Sequence, residues 1–472
     1  MSVVLSAERY LAQPGVGPAE RNVEIEVSED GPVSIRPGQG RSGVLAMPAP
    51  VNAHDHGYGI RTLDFGLLDD ALETWIPGLR VRPATDPYLE ALVSFGRLLQ
   101  SGCSATMHCH NSLNVDSLVE EAGAVARAAR DSGIRLGLSC PLLDASPWIY
   151  GDVEALRSLA GEAQWAQLSV LLPRYAPVSA QIEAVEQVAT EHAGHGVDVQ
   201  YGPIGPQWAS DALLEAVAEA SCASGRRIHM HLLESPRQRQ WLDRRFPGGI
   251  VRHLAEIGFL SPRLAVAHGV QLRPEECELL AEYGVTVVTN PSANLRLRSG
   301  IAPLETLKCA GTKFAIGLDG TGFDDDQDIW RELRLAWLLH GGRTLEPALS
   351  EAELFEAVTE RGAAVVNQSI EGDIVTIDYG ALTRDALFDD LDEVRVLLAR
   401  MSAAHVIDLI IAGRLVVRDG TVRTFDFDAA RTELAAQARA QLPRLETERG
   451  IARQLADLIR RYYRDWDPQA SI

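Results

Sequence analysis

Lysine is nearly missing from this 472-residue chain: Lys308 and Lys313 are the only two, and arginine supplies the rest of the basic charge. Basic charge is itself scarce, 44 Lys and Arg against 65 Asp and Glu, for a formal net charge of −21. Such a surface repels phosphate backbones and anionic bilayers, so neither nucleic acid nor membrane is expected as a partner. No run approaches the ~20 apolar residues of a membrane span. Glu8 and Arg9 also interrupt the N-terminus too early for a secretory leader. The six cysteines, Cys103, Cys109, Cys140, Cys222, Cys277 and Cys309, stand apart without CxxC pairs or disulfide-like spacing. That pattern fits reduced thiols and a cytoplasmic location. No internal repeat and no low-complexity linker divides the chain.

What is present is the composition of a globular protein, 46% hydrophobic and 23% charged, long enough for one large barrel and a smaller unit. Short apolar runs alternate with longer helix-period segments between about 47 and 370. The candidate strands are VLAMPAPVNAH, SATMHCH, RLGLSC, QLSVLLP or VDVQYGP, RIHMHLL, RLAVAHG, VTVVTN and KFAIGLD. Several intervening helices open on Ser or Asp and close on Gly, as capped helices do. About eight strand-then-helix units predict an α/β fold, a closed (β/α)8 TIM-type barrel over 47–370. Strand-and-turn texture flanks it on both sides. Residues 1–46 and 371–425 are therefore expected to form one composite β-sandwich, with helices over 426–472.

In such a barrel the working side chains sit where strands end and loops begin. Seven of the 12 histidines fall there. His54 and His56 end the first strand, and residues two apart in a strand share a face. A bare HxH is more often a solvated turn than a ligand pair, but histidines and carboxylates recurring at later strand ends change those odds. His108 and His110 end the second strand, His229 and His231 a middle one with Glu234 just beyond, His268 the next, and Asp319 the last. A zinc-like ion takes three or four N/O ligands and, in a catalytic site, keeps a position open for water, which it acidifies to a pKa near ~7. His54, His56, His231 and Asp319 supply three imidazoles and a carboxylate. Glu234 is placed to move protons, His268 to polarise the electrophile or hold the water, and Asp319 to serve as ligand and base together. His229 is assigned to the opposite face, against the surrounding helices. Of His108 and His110, one is expected to reach the substrate. His192 and His195 read as surface residues, His253, His340 and His405 stand alone, and DDDQD at 324–328 reads as the acidic first turn of a helix.

The order HxH, HLLE, AH, GLDG resembles the amidohydrolase superfamily, in particular its cytosine-deaminase-like and triazine-hydrolase-like (chlorohydrolase-type) branch. The likeness extends through AHGVQLRPEECELLAEYGVTVVTNPSANLRLRSGIAPL at 267–304, GLDGTGFDDDQDIWRELRLAWLL at 317–339, GPIGPQWASDALLEAV and HMHLLES, and RTLDFGLLDDALETWIPGL after the HxH. It implies metal ligation by His54, His56, His231 and Asp319, with Glu234 as proton shuttle and His268 beside the water. Two-metal members of the superfamily bridge their ions with a carboxylated lysine; no lysine precedes Lys308, so one ion per chain is expected, zinc first and iron second. Two departures bear on the substrate: GPIGPQW stands where relatives carry histidine or arginine, and the second strand reads HCHN. Gln207 and Trp208 are accordingly expected to face the pocket, together with Trp75, His110, Arg296 and Arg298. For the two arginines, holding a loop in place is the alternative role.

The leading expectation is a metal-dependent aminohydrolase that deaminates an amino-substituted N-heterocycle, a small planar molecule stacking on Trp75 or Trp208. The alternative keeps the site and changes the bond: hydrolysis of a cyclic amide, or displacement of an alkylamine or halide. A non-catalytic metal- or metabolite-binding barrel is the reading from another class. A homodimer is the default assembly.

Overall fold

The computed structural model describes residues 2–28, 33–112, 117–320, 325–342 and 344–464. Two eight-stranded sheets organise it. The first is all parallel: β5 (Val51–Asp55), β6 (Ala105–Cys109), β7 (Arg135–Leu142), β8 (Val197–Pro203), β9 (Ile228–Leu232), β10 (Leu264–His268), β11 (Thr286–Thr289) and β12 (Lys313–Ile316) pair in chain order. Three of these strands, VNAHD, ATMHC and LAVAH, are buried along their whole length, and the other five are buried at most positions. A strand covered on both faces must read as a continuous apolar run, and these do. The helices between them are capped by their own sequence. Ser210 accepts from Leu213 N–H and Ser235 from Gln238 N–H at the helices Asp211–Ser224 and Pro236–Arg245. Their inward faces bury residues such as Leu213, Leu214 and Leu242, each stabilising by roughly 1.5–3 kcal/mol.

The sheet closes where β12 meets β5. Asp319 N–H donates to the His54 carbonyl at 2.9 Å, and Leu318 N–H to Asn52 Oδ1 at 2.9 Å. Gly317 allows the approach, since a Cβ there would lie 2.5 Å from the His54 nitrogen. The end of the barrel where the strands begin is plugged by Val51, Ala105, Met107, Ala265, Val288 and Ala315 packing with Ala363, Val365 and Val366 of the helix Glu360–Val366. The other end is left to polar side chains.

The second sheet joins both ends of the chain. β1 (Ser2–Tyr10), β2 (Glu20–Ser28), β3 (Ser34–Pro37) and β4 (Val44–Pro48) combine with β13 (Ile374–Asp378), β14 (Val406–Ile411), β15 (Arg414–Arg418) and β16 (Thr421–Val422) in the order β16-β15-β14-β13-β4-β1-β2-β3. The composite β-sandwich expected from the two flanking segments is instead one continuous mixed ladder, because β4 pairs with both β1 and β13 and so joins the two segments edge to edge. Its alternating strands give it a core of its own around Leu5, Val23, Ile25, Ile374 and Ile410. Arg135 on β7 ties this unit to the barrel through a two-pronged contact with buried Asp373, Nε–Oδ2 2.8 Å and Nη2–Oδ1 3.0 Å.

Two expected strands are redrawn. VLAMPAPVNAH is two strands in different sheets, β4 and β5, because Pro48 and Pro50 remove N–H donors from the run between them. Of the fourth-strand alternatives, VDVQYGP is the strand; QLSVLLP runs through the end of the helix Glu162–Leu168 and a 3₁₀ turn. Asp328 of the DDDQD run caps the helix Ile329–Leu339 by accepting from Trp330 N–H, while Asp324 lies outside the described residues. Helices Phe427–Arg439 and Leu442–Tyr462 end the chain, the latter packing back on its own barrel, where Tyr150 N–H donates to Tyr463 OH at 2.8 Å. No helix among the described residues is long and apolar enough to cross a membrane.

Candidate metal centre

The strand ends converge. The ring centroid of His54 lies 5.2 Å from that of His56, 4.9 Å from His231 and 5.5 Å from His268. Asp319 Oδ1 lies 3.2 Å from His54 Nε2 and 3.1 Å from His56 Nε2, and His231 Nε2 lies 3.3 Å from His56 Nε2. Three side chains from β5 and β9 and one from the end of β12 therefore present ligand atoms to one small volume. Leu233, His268 and Asp319 all adopt left-handed backbone here, φ +51°, +71° and +62°. Non-glycine residues rarely do so, and such strain gathers at sites where side-chain aim matters.

The partners on the far side of each ring fix its proton. His231 Nδ1 faces the Ile204 carbonyl at 2.7 Å and His56 Nδ1 the Cys109 carbonyl at 3.1 Å. A carbonyl only accepts, so the His231 ring carries hydrogen on Nδ1 and leaves a lone pair on Nε2; His56 Nδ1 has both the Cys109 carbonyl and, at 2.8 Å, the Asn111 amide nitrogen beside it. His54 Nδ1 meets His229 Nε2 at 2.8 Å and Cys109 Sγ at 3.3 Å; His268 Nδ1 meets Asn294 Oδ1 at 3.0 Å. The His231 Nε2 lone pair then points toward His56 Nε2, 3.3 Å away, so the two ring nitrogens face the same small space. Buried His54 Nε2 and Asp319 Oδ1 are close, yet neither makes a properly directed hydrogen bond. The donor set of three imidazoles and a carboxylate fits a divalent ion of the zinc type.

Charge follows the same logic. Burial lowers His54 to about 4 and, with the neighbouring imidazoles, His231 well below its ordinary value, which keeps them neutral as ligands must be. For His56 burial pulls downward, but the contact with Asp319 wins and its pKa rises. Burial also opposes ionisation of Asp319, yet His54 and His56 hold its carboxyl well below the usual range. Glu234 behaves oppositely. Burial first, then the Asp319 and Glu73 carboxylates, push it well above the ordinary value. Its Oε2 lies 3.8 Å from His268 Nε2, and its buried Oε1 has no hydrogen-bond partner among the described residues.

His229 corrects the expectation made for it. It is two residues from His231, so the same period of two that unites His54 and His56 turns it inward, where it stacks on His54 at 5.1 Å. Cys109, Asn294 and His229 support the centre without having been expected to; only His229 carries a signal in the sequence, its spacing. Neither lysine reaches the centre. Lys308 bonds Glu353 at 2.9 Å, and Lys313 opens β12 at the opposite end of the barrel.

Three spaces open around the centre. A narrow one of about 20 Å³ touches His56, His229 and His231; it shares Asn111, Pro141 and Ile204 with a cavity of about 480 Å³. A third, of about 420 Å³, is lined by His56, His108 and His110. His110 also pairs with Glu121 at 2.9 Å. The remaining expected substrate contacts lie elsewhere. Trp75 packs with Leu72, Ala293 and Leu297, and Arg296 and Arg298 bind Asp69 and Asp70 at 2.8 and 3.0 Å, holding one loop to another. Gln207 is buried with its amide unpaired, and Trp208 packs with Trp148, Leu455 and Ile459. Neither lines the three spaces. The side chains of the GPIGPQW segment that face the centre are Pro203 and Ile204, because the 3₁₀ turn Pro206–Trp208 rotates the next residues into the helical layer.

A model of the amidohydrolase family matches residues 45–414. A 5-methylthioadenosine/S-adenosylhomocysteine deaminase from Thermococcus sibiricus is 29% identical over 71% of this chain and 74% of its own. A 5′-deoxyadenosine deaminase from Methanosarcina mazei is 25% identical over 81% and 83%. Among solved structures, an adenosine deaminase from Xanthomonas campestris with bound zinc superposes with a TM-score of 0.76 at 21% identity, covering 94% of this chain and 98% of that one. An atrazine chlorohydrolase from Arthrobacter aurescens complexed with zinc gives 0.76 at 20% identity, over 92% and 99%.

Proposed function

The chain belongs to the amidohydrolase family, and from that premise we propose that His54, His56, His231 and Asp319 hold one zinc ion per chain in an enzyme that hydrolytically deaminates an amino-substituted N-heterocycle. The observation that carries the reading is the convergence of three imidazoles and a buried carboxylate on one small volume, with the Glu234 carboxyl at its edge. Relatives named as deaminases of adenosine derivatives support the substrate class.

When bound, such an ion supplies a water that ionises near neutral pH. The chain's own residues do the rest. Asp319, ionised and fixed by two imidazoles, takes up the proton that water releases as it adds to the amino-bearing carbon. Glu234, kept protonated by burial and by two nearby carboxylates, gives its proton to the adjacent ring nitrogen and later relays one to the departing amine, so that ammonia leaves and a carbonyl remains. His268, held by Asn294 and facing Glu234, orients the incoming oxygen. The six cysteines are all free, which fits the cytoplasmic setting in which this reading places the enzyme.

Ammonia release by zinc-loaded protein is the test, over a panel of adenosine, 5′-deoxyadenosine, 5′-methylthioadenosine, S-adenosylhomocysteine, cytosine, guanine, pterin and aminotriazines. Glu234→Gln should lower turnover by about 10²–10⁴ with zinc content unchanged. Silence across the panel overturns the deaminase reading, and a product heavier by one water with no ammonia would identify ring opening of a cyclic amide instead.

A further inference from the structure

The 480 Å³ cavity at the barrel mouth carries a charge that does not match the rest of the chain. Arg80, Arg82 and Arg174 line it, and among the described residues no Asp or Glu does. This occurs in a chain with 65 acidic and 44 basic residues. The neighbouring 420 Å³ cavity, which Arg82 also lines, shows the ordinary pattern, with Asp86, Glu90, Glu120 and Glu121 alongside Arg82 and Arg127, none of the four within ion-pair distance of Arg82. Other arginines around the mouth are paired: Arg237 with Glu73, Arg296 with Asp69, Arg298 with Asp70. Arg80, Arg82 and Arg174 form no ion pair among the described residues.

Arg82 is the most firmly placed of the three. Its Nη2 donates to the Asn111 carbonyl at 3.1 Å, its guanidinium lies 5.1 Å from the Tyr58 ring centroid, and its Nε is buried with no partner among the described residues. Tyr58 in turn stacks on His56, centroids 6.0 Å apart and planes within 15°. Two ring contacts thus connect the cation to a proposed metal ligand, the reach of a bicyclic base with a short arm. Trp148, Tyr175 and Leu172 give the cavity an apolar wall for the carbon part of that arm. A partly buried guanidinium is normally completed by an anion, held in two-pronged geometry where it can be. Here the described residues provide none.

We propose that this cavity receives an anionic arm of the substrate, a carboxylate or a phosphate, with Arg82 as its main contact and Arg80 and Arg174 flanking it. The inference rests on the reading of the metal centre as a deaminase of N-heterocycles and adds to it which heterocycles are favoured.

The test is equilibrium binding by calorimetry on zinc-loaded, full-length protein in the Glu234→Gln background, so that ligands are not consumed. Three probes share one base and sugar: adenosine-5′-carboxylic acid, its near-isosteric carboxamide, and adenosine 5′-monophosphate. The carboxylate or the monophosphate should bind at least about tenfold tighter than the carboxamide, the contribution of one charge-assisted contact, and the tighter of the two names the arm. Adding Arg82→Gln should reduce that preference to within about twofold, and Arg174→Gln should reduce it about threefold. Arg431→Gln, on the remote helix Phe427–Arg439, should leave it intact. Equal affinity for acid and amide, no binding of any probe, or a preference that survives Arg82→Gln overturns the proposal. If Arg82→Gln does not fold, an unchanged preference in Arg174→Gln does so. Anion-selective binding in a protein whose parent releases no ammonia would leave this inference standing and remove the deaminase reading; ammonia release without anion preference would do the reverse.

Discussion

Replacing His229 with leucine removes a ring that touches no substrate and yet should loosen the metal. His229 Nε2 lies 2.8 Å from His54 Nδ1 and both rings are buried; a His54 that ligates through Nε2 carries its proton on Nδ1 and donates it to His229. Leucine has similar volume, so packing changes little, but the acceptor goes. His54 then has two options. It can keep its proton on Nδ1, leaving a buried donor unsatisfied at a cost of about 1–3 kcal/mol. Alternatively it can move the proton to Nε2, which abolishes the lone pair directed toward Asp319. Either choice raises the free energy of the liganded state, and loss of such an outer partner typically lowers metal affinity by about 10–100-fold, or about 1.4–2.8 kcal/mol. Cys109 Sγ, 3.3 Å from the same nitrogen, is a weak substitute acceptor and places the expected loss in the lower half of that range. Zinc affinity by competition with a chromophoric chelator is the assay, with denaturant unfolding of the metal-free protein as the check on folding. His229→Gln, which can present an amide oxygen, should recover part of the loss. A His229→Leu protein that folds and binds zinc within about twofold of the parent would refute the reasoning.

Elemental analysis of purified protein should give one equivalent of zinc per chain, and chelation followed by zinc alone should restore activity; two tightly held equivalents would contradict the single centre. Arg135→Met strands the buried Asp373 carboxylate that it contacts twice, so the denaturation midpoint should fall by the equivalent of about 3–5 kcal/mol. An unchanged midpoint would mean the two units are joined by apolar packing alone. His340 gives a pH signature. Burial lowers its pKa from 6.5 to about 4. Below pH 6.5 the unfolded chain takes up a proton that the native state refuses, so stability is full above 6.5 and falls as pH drops toward 4. His340→Gln should flatten that slope by about 1–2 kcal/mol after allowance for partial exposure, measured as the difference between denaturant titrations at about pH 7 and about pH 4.5. A slope identical to the parent's would exclude His340 from the acid sensitivity.

The residues at the strand ends were legible because barrel geometry and ligand chemistry act on the same few positions. A strand buried on both faces must be apolar until it reaches the rim, so His54, His56, His231, His268 and Asp319 stand out against Val, Ile, Leu and Ala. His229 was legible and misassigned, since the period of two applies to it as fully as to His54. The substrate side was not legible. Whether Trp75 or Trp208 faces a ligand depends on loop turns and on which helix packs behind them, and both rings are taken up by the protein's own core. Arg296 and Arg298 read as pocket cations, but acidic residues more than 200 positions away neutralise them. Arg82 escaped notice for the converse reason: what marks it is the absence of an ion-pair partner among the described residues in three dimensions, which a linear chain does not display.

The seam between β5 and β12 has a consequence for how the enzyme comes into being. Of the proposed ligands, His54 lies on the barrel's first strand and His56 just past it, Asp319 lies just past its last strand, and a backbone hydrogen bond from Asp319 to His54 joins the two ends at that point. A nascent or damaged chain that has laid down seven staves would hold the proposed imidazole ligands without their carboxylate, an incomplete grip on an ion. On the proposed ligand set, metal bound per molecule would therefore count the correctly closed barrels in a preparation, and hydrolytic power would be withheld from chains that have not finished folding.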